Sequence, residues 1–272
     1  MSHLIFDSVT VLPPEARGRA VLAASHGGAY AAYLAAKAGV KAALLCDAGV
    51  GREQAGISGL PYLEKLGVAA ATIGHRSARI GDGADCARRG TISYANANAQ
   101  KIGVEPGMST SEALDRLERA DGAPSPMPPA VQESRHEIND ANGVRVFALD
   151  SNALVTPDDV GQIMLTGSHG GLLGGRAATA VKYDVFAAVY NDAGIGIDEA
   201  GISRLPALDA RNIAGACVSA WSARIGDGMS TYRDGFVTAV NARARACGGE
   251  IGISAIELVA RLVAARVKEK HT

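Results

Sequence analysis

The chain contains a long internal repeat, and this repeat limits its possible folds more than any other feature of the sequence. Residues 25–28, Ser-His-Gly-Gly, recur 143 positions later as residues 168–171. Residues 77–83, Ser-Ala-Arg-Ile-Gly-Asp-Gly, recur 145 positions later as residues 222–228. The matches keep the same order in both copies, which chance does not produce. The sequence therefore predicts two copies of one folding unit.

The stretch between the copies has the composition of a linker. Residues 121–143 contain four prolines among mostly polar residues. We therefore predict a first α/β repeat over residues 1–120, a proline-rich linker over 121–143 and a second α/β repeat over 144–272. A connection of this length allows the two repeats to pack together about a pseudo-twofold axis.

Within the first repeat, apolar runs alternate with helical segments rich in small residues. Buried strands are expected over 18–24, 40–46 and 68–73, and helices over 28–38, 54–66, 91–102 and 109–120. This alternation predicts an α/β fold made of two tandem homologous Rossmann-like repeats, each with a mostly parallel sheet, related by a pseudo-twofold axis.

Composition and charge favour a small-molecule enzyme or binding protein. The 27 Lys and Arg nearly balance the 28 Asp and Glu, so we expect no nucleic-acid partner. No apolar run approaches the roughly 20 residues that span a bilayer, so we expect no membrane association. The four cysteines lack metal-ligand spacing, which favours reduced thiols in a cytoplasmic protein. We expect a small-molecule substrate and no metal or cofactor, and homo-oligomerisation stays open.

Three loops in each repeat follow strands and are expected to meet at one edge of the sheet. They have the sequences Ser-His-Gly-Gly, Asp-Ala-Gly-x-Gly and Ser-Ala-Arg-Ile-Gly-Asp-Gly. The carboxyl ends of parallel strands lie together, and open α/β sheets bind their ligands there. We therefore predict one crevice lined by these loops.

The histidines of the first loop are the predicted proton-transfer groups. An unperturbed imidazole titrates near pH 6.5 or so, which suits His26 or His169 to general acid–base catalysis. Asp47 and Asp192, each at the start of the second loop, are predicted to orient that base. We therefore predict that these four residues are catalytic.

The glycines that follow the histidines are predicted to bind an anion. Gly27 and Gly28, and their counterparts Gly170 and Gly171, allow close approach of the backbone and expose amides at the start of a helix. These amides would stabilise a developing negative charge. The alternative is that the glycines only permit tight turns and close packing.

The arginines of the third loop are predicted to bind a substrate carboxylate. Arg79 and Arg224 each offer a planar fork of donors that matches two oxygens. Asp82 and Asp227, three residues farther along, would hold these arginines in place, and an ion pair that only ties the loop is the alternative. His75, which has no counterpart in the second repeat, is a further substrate-binding candidate.

Differences between the copies argue against two identical active sites. One shared site, or one surviving site, fits them better. A strand-ending Ser-His-Gly followed by a strand with a terminal cysteine resembles the layout of caspase-like peptidases, which would make Cys46 a nucleophile with His26 or His75 as its base. Because the second copy has Asn191 at this position, we favour a buried strand cysteine.

These features together predict an enzyme that acts on a small carboxylate- or amide-bearing metabolite. A hydrolase is the simplest form, with histidine acid–base chemistry and anion binding by arginine and the glycine-rich loops. The alternatives are an isomerase or lyase that abstracts a proton next to a carbonyl, and a non-catalytic anion-binding sensor. The sequence does not separate hydrolysis from proton abstraction.

Overall fold

The computed structural model describes residues 3–121, 128–141 and 143–271. In these residues the chain is a mixed α/β protein with two mostly parallel sheets, of five and six strands, and helices between the strands. The strands of the first sheet are β1 (Leu4–Phe6), β2 (Ala20–His26), β3 (Ala42–Cys46), β4 (Ala69–Ile73) and β5 (Ile92–Ala95). Those of the second sheet are β6 (Arg135–Ala141), β7 (Val144–Leu149), β8 (Ile163–His169), β9 (Ala187–Asn191), β10 (Ala214–Val218) and β11 (Val237–Val240).

The helices cover both faces of the sheets. Those of the first half are α1 (Ala29–Lys37), α2 (Gly59–Lys65), α3 (Gly83–Arg89), α4 (Ala97–Lys101) and α5 (Thr110–Leu117). Those of the second half are α6 (Arg204–Asp209), α7 (Gly228–Asp234), α8 (Ala242–Ala246) and α9 (Ala255–Lys270). In the first half, α1 and α2 pack on one face of the sheet and α3 and α5 on the other. Within the described ranges, no helix combines the length and apolarity needed to cross a bilayer.

The strands follow the chain order in both sheets, from β1 to β5 and from β6 to β11. The pairs β4–β5, β6–β7 and β10–β11 are antiparallel, and the other pairs are parallel. A doubly wound Rossmann sheet instead reverses its strand order and binds its ligand at that reversal. The described sheets have no such reversal, so the ligand position expected from that topology does not apply here.

The strands that carry the predicted loops are buried on both faces. Every residue of β3, β4, β9 and β10 is buried, as expected for parallel strands covered by helices on both sides. One apolar cluster of the first sheet extends to Ala193, Ala200 and Ile225 in the second half. The two halves therefore share part of their core.

Residues 91–102 are not the single helix that we predicted. Ile92–Ala95 form β5, antiparallel to β4, and α4 begins only at Ala97. Asn96 lies between them and is buried, and its Oδ1 accepts hydrogen bonds from the N–H groups of Ala70 and Ala99. This carboxamide ends the strand and caps the helix, which the helical pattern of the surrounding alanines concealed.

The segment after β8 also differs from its counterpart after β2. In the first half, α1 begins one residue after Gly28, but in the second half the chain forms two short 3₁₀ helices, Leu173–Gly175 and Ala177–Thr179. Gly174 and Gly175 have φ angles of 56° and 68°, which interrupt a right-handed helix. The predicted helix over 54–66 is likewise divided, with a 3₁₀ helix over Arg52–Ile57 before α2.

The stretch predicted as a linker contributes a strand to the second sheet. Arg135–Ala141 form β6 and pair with β7. Residues 122–127, with two of the four prolines, lie outside the described residues. Pro129 is described, and its carbonyl oxygen accepts a hydrogen bond of 2.7 Å from the Tyr62 hydroxyl.

Two loops with unusual backbone angles join the halves: residues 47–56, after β3, and residues 192–201, after β9. Ala48, Val50, Ala193 and Ile195 have φ angles of 48°, 61°, 49° and 62°. Positive φ is unfavourable for non-glycine residues and most of all for β-branched ones such as Val and Ile, so the surrounding structure must impose it.

The two loops lie directly against each other. A Cβ atom on Gly49 would lie 2.8 Å from the Cα of Gly194, so the backbones are in contact. The Arg52 N–H donates to the Ala220 carbonyl at 2.8 Å, and the Ile197 N–H donates to the His75 carbonyl at 2.9 Å. Each loop therefore completes its backbone hydrogen bonding with the opposite half.

Candidate functional site

A cavity of ≈ 410 Å³ lies between the two halves. His26, at the end of β2, and His169, at the end of β8, both line it. Polar side chains from both halves complete much of the wall, among them Ser8, Ser25, Glu133, Asn152, Ser168 and Arg204. The structure thus brings the two histidines of the repeated motif to one shared cavity.

Each histidine has a fixed tautomer. The Gly28 N–H lies 3.1 Å from Nδ1 of His26, and the Gly171 N–H lies 3.2 Å from Nδ1 of His169. A backbone N–H can only donate, so both Nδ1 atoms accept and carry no proton. The neutral ring then carries its proton on Nε2, which makes each histidine a hydrogen-bond donor through Nε2–H.

Both histidines are neutral near pH 7. Burial lowers the pKa of His26 from 6.5 to about 4. The pKa of His169 is lowered well below its ordinary value by burial and, to a smaller extent, by the positive charge of Arg204 and by His26. A lowered pKa makes each ring a weaker base, and the general-base role expected from sequence stays a prediction. A neutral ring with its proton on Nε2 is suited to donate a hydrogen bond to an oxygen.

The glycine amides that we predicted to bind an anion donate to acceptors within the protein. The Gly27 N–H donates to the Cys46 carbonyl at 2.6 Å and the Gly170 N–H to the Asn191 carbonyl at 2.8 Å. The amides of the second glycine in each pair bind the histidines. All four donors are therefore engaged within the protein, and anion binding by these glycines stays a prediction.

Close packing accounts for the first glycine of each pair. A Cβ on Gly27 would lie 2.7 Å from the Gly56 carbonyl oxygen, and a Cβ on Gly170 would lie 2.4 Å from that of Gly201. Real Cβ atoms do not approach oxygens so closely. The absence of a side chain lets the histidine loop pass against the neighbouring loop, which was our alternative interpretation.

Asp47 and Asp192 do not orient the cavity histidines. Oδ1 of Asp47 accepts from Nδ1 of His75 at 2.9 Å and also from the His75 and Gly49 amides. Asp192 accepts from the amides of Gly194 and Ala220 and from the Thr238 hydroxyl. Both aspartates hold the loops that join the halves, and neither they nor His75 line the cavity.

Arg79 does not reach the cavity. Its Nη2 lies 2.8 Å from Oδ2 of Asp198 in the second half. Asp82, predicted to hold this arginine, instead caps α3 by accepting from the Asp85 N–H at 2.9 Å. The ion pair of Arg79 with Asp198 is therefore a contact between the halves.

Arg224 does line the cavity, but it is already paired with two carboxylates. Its Nη2 lies 2.8 Å from Oδ2 of Asp227, and its Nη1 lies 3.1 Å from Oε1 of Glu53 in the first half. Asp227 thus forms an ion pair with Arg224, and the predicted substrate-binding role of the pair stays a prediction. With both partners present, the positive charge of Arg224 is neutralised within the protein.

Cys46 is a buried cysteine at the end of β3. Its Sγ lies 3.7 Å from that of Cys86, and both residues are buried. The contact with Cys86, together with burial, raises the pKa of Cys46 well above its ordinary value. A protonated thiol is a weak nucleophile, so its burial and raised pKa favour the buried strand cysteine over the peptidase-like arrangement.

Glu133 is a cavity residue that the sequence did not reveal. It lies in the stretch predicted as a linker, next to the hydroxyls of Tyr30 and Ser151. Burial raises the pKa of Glu133, the hydrogen bonds with Tyr30 and Ser151 lower it in part, and the negative charge of Asp150 adds to the rise. Nothing in the sequence of that stretch distinguishes this glutamate from a solvated linker residue.

Arg204 is the second residue that sequence analysis missed. It is the first residue of α6, is 3% exposed and lines the cavity. At the repeat offset of 145 its counterpart is Gly59, where a Cβ would lie 2.6 Å from that of Ala32 in α1. The second half has no α-helix after β8, so the large side chain has room there. This mismatch between the copies was the signal that could have identified it.

Among the residues that the structure describes, no group of three or more His, Cys, Asp or Glu side chains is placed to hold a metal ion. Comparisons of the chain with models of protein families, with curated proteins and with solved structures find no match.

Proposed function

We propose that this chain is an enzyme that polarises a carbonyl group of a small carboxylate- or amide-bearing metabolite and transfers a proton at the adjacent carbon. The reaction would take place in the cavity between the halves. The observation that carries this proposal is the shared tautomer of His26 and His169, which both line that cavity and carry their proton on Nε2.

Neutral imidazoles are well suited to this task. Removing a proton next to a carbonyl places negative charge on the carbonyl oxygen, and donors already in position stabilise that charge. An imidazole with a low pKa stays neutral at pH 7. Its Nε2–H is then available to donate a hydrogen bond. Two such donors from the two halves would act on one oxygen or on two neighbouring ones.

Glu133 is the residue proposed to move the proton. Its raised pKa brings the carboxyl group closer to the working pH, where it can both accept and return a proton. The hydroxyls of Tyr30 and Ser151 lie beside it and would orient the carboxyl group. Burial raises the pKa of Tyr30 to about 12, so Tyr30 stays protonated and acts as a donor.

Proton transfer fits these groups better than hydrolysis, the reaction favoured from sequence. The glycine amides are engaged with other acceptors, and Cys46 is a protonated thiol. Burial also raises the pKa of Cys217. Neither cysteine is therefore an activated nucleophile for covalent hydrolysis, whereas abstraction and return of a proton need none.

We also propose that the chain is a duplicated α/β unit and that the cavity lies near a pseudo-twofold axis. The support is two hydrogen bonds that occur in both copies at the repeat offsets. The Val9 N–H donates to Ser25 Oγ, and its counterpart, the Asn152 N–H, donates to Ser168 Oγ. The Gly83 N–H donates to Asp7 Oδ1, and its counterpart, the Gly228 N–H, donates to Asp150 Oδ1. On this view one site uses one histidine from each copy.

Deuterium exchange tests the proposal directly. The purified protein would be incubated in D₂O with a panel of small oxo acids and amides, and loss of the proton signal next to the carbonyl would be followed by NMR. We expect exchange with the wild type, and a loss of about 100-fold or more for Glu133→Gln. His26→Gln and His169→Gln should each lower the rate by about tenfold or more.

Matched substitutions outside the cavity serve as controls. Glu137→Gln and His136→Gln replace exposed residues on β6 and should leave the rate unchanged. Release of ammonia or a new acid from the amides, with no exchange, would show a hydrolase instead. Binding without exchange or cleavage of any compound in the panel would show a non-catalytic sensor.

A further inference from the structure

Arg204 is a buried cation whose charge no described side chain neutralises. It is 3% exposed, and no carboxylate oxygen of the described residues lies within 4.0 Å of its nitrogens. A buried charge without a counter-charge is costly, because the interior solvates it poorly. A bound anion is one way to supply the missing negative charge.

The protein contacts of Arg204 are all with neutral groups. Nε donates to the Gly171 carbonyl at 3.0 Å, and Nη1 donates to the carbonyls of Thr179, at 2.6 Å, and Ala180. The guanidinium carbon lies 4.9 Å from the centre of the Tyr190 ring. These partners orient the guanidinium and hold the loop after β8, but none of them carries a negative charge.

The other charged groups around the cavity already have partners. Arg224 lies between Glu53 and Asp227. The two carboxylate oxygens of Asp150 accept from the amides of Gly228 and Ser134. Arg204 is therefore the cation of the described cavity wall that remains available to a bound anion.

We propose that Arg204 binds the carboxylate of a small monocarboxylate ligand in the histidine-lined cavity, which rests on the proposed function and names its substrate class as oxo acids. A carboxylate carries one negative charge, equal to that of the guanidinium, and it would accept from Nη2, because Nε and Nη1 already donate to backbone carbonyls. A phosphate dianion fits less well, because Glu53, Glu133, Asp150 and Asp227 place carboxyl groups on the same cavity. Because Arg204 belongs to the second half, it also fixes which end of the ligand lies toward that half.

The test compares acids with their neutral analogues. Binding of pyruvate, 2-oxobutyrate and 2-oxopentanoate to the wild type would be measured by calorimetry, alongside the methyl ester of each acid and inorganic phosphate. We expect at least one acid to bind about tenfold or more tightly than its ester and than phosphate. This comparison needs no variant, so it does not depend on how well a substituted protein folds.

Substitutions then assign the effect to Arg204. Arg204→Gln should lose the preference for acid over ester. Arg204→Lys should retain only part of it, since an ammonium lacks the planar fork. Arg211→Gln is the matched control: Arg211 also donates to a backbone carbonyl, that of Val181, but it is paired with Asp184 and lies outside the cavity. It should bind the acids as the wild type does.

Two outcomes overturn the proposal, and a third separates it from the proposed function. Equal binding of acids and esters, or a preference in Arg204→Gln that matches the wild type, would show that Arg204 has only a structural role. Tighter Arg204-dependent binding of phosphate would replace the carboxylate ligand class. Acid binding that needs Arg204, without deuterium exchange, would support this inference and refute the proposed proton transfer.

Discussion

Acidification should destabilise the protein through His26. Burial lowers the pKa of His26 in the folded protein to about 4, whereas the unfolded chain has the ordinary value of 6.5. The unfolded state therefore binds a proton first as the pH falls. The contribution of His26 to stability is complete above about pH 6.5, declines below it and is lost once the pH passes through about 4.

The size of this effect follows from the two pKa values. A shift from 6.5 to about 4 corresponds to about 3 kcal/mol in total, of which about 2.5 kcal/mol is lost between pH 7.5 and pH 4.5. Urea unfolding of the wild type and of His26→Gln across this pH range would measure it. The free energy of unfolding of the wild type should fall by about 2.5 kcal/mol more than that of the variant.

His169 also makes the folded protein less stable as the pH falls, because its pKa is lowered too. The exposed His136 is the matched control, and His136→Gln should follow the wild-type curve. NMR would report the titration of each ring separately. A His26 ring signal that titrates near pH 6.5 in the folded protein, or parallel unfolding curves for the wild type and His26→Gln, would refute the assigned burial and tautomer.

Three further predictions concern buried groups. Asn96→Ala should lower the free energy of unfolding by about 3 kcal/mol, because its side chain bonds the Ala70 and Ala99 amides and the Val68 carbonyl; a loss below about 1 kcal/mol in urea unfolding would contradict this. Gly201→Ala should lower the free energy of unfolding several times more than Gly67→Ala, for which we expect roughly 1 kcal/mol. A Cβ on Gly201 would lie 1.9 Å from the Asp192 carbonyl oxygen, whereas a Cβ on Gly67 would meet nothing within 4 Å. The four cysteines are buried, so a colorimetric thiol reagent should react with them only after unfolding; rapid reaction of the native protein would show that one is exposed.

The position of the cavity histidines could be predicted from sequence because it depends on the order of strands and loops along the chain. His26 and His169 end the equivalent strands β2 and β8, and an internal repeat makes such equivalence visible. Their chemistry was not accessible. The low pKa values and the fixed tautomers depend on burial between the halves and on amides two residues farther along, and neither follows from residue type.

The remaining site residues show two different reasons for failure. Arg79 and Asp47 lie in conspicuous motifs, but their partners, Asp198 and His75, are distant in sequence and could not be foreseen. Glu133 and Arg204 lack a motif altogether. A search guided by the repeat selects residues that both copies share. Arg204 is not one of them, because the first copy has Gly59 at the equivalent position.

The joining loops make the folding of each half dependent on the other. The amides of Arg52 and Ile197 find their acceptors, Ala220 and His75, only across the contact. Each half expressed alone would expose these donors and leave residues at positive φ without the contacts that impose it. Unfolding should therefore be a single cooperative event, and hydrogen exchange at these two amides should occur only when the whole chain opens.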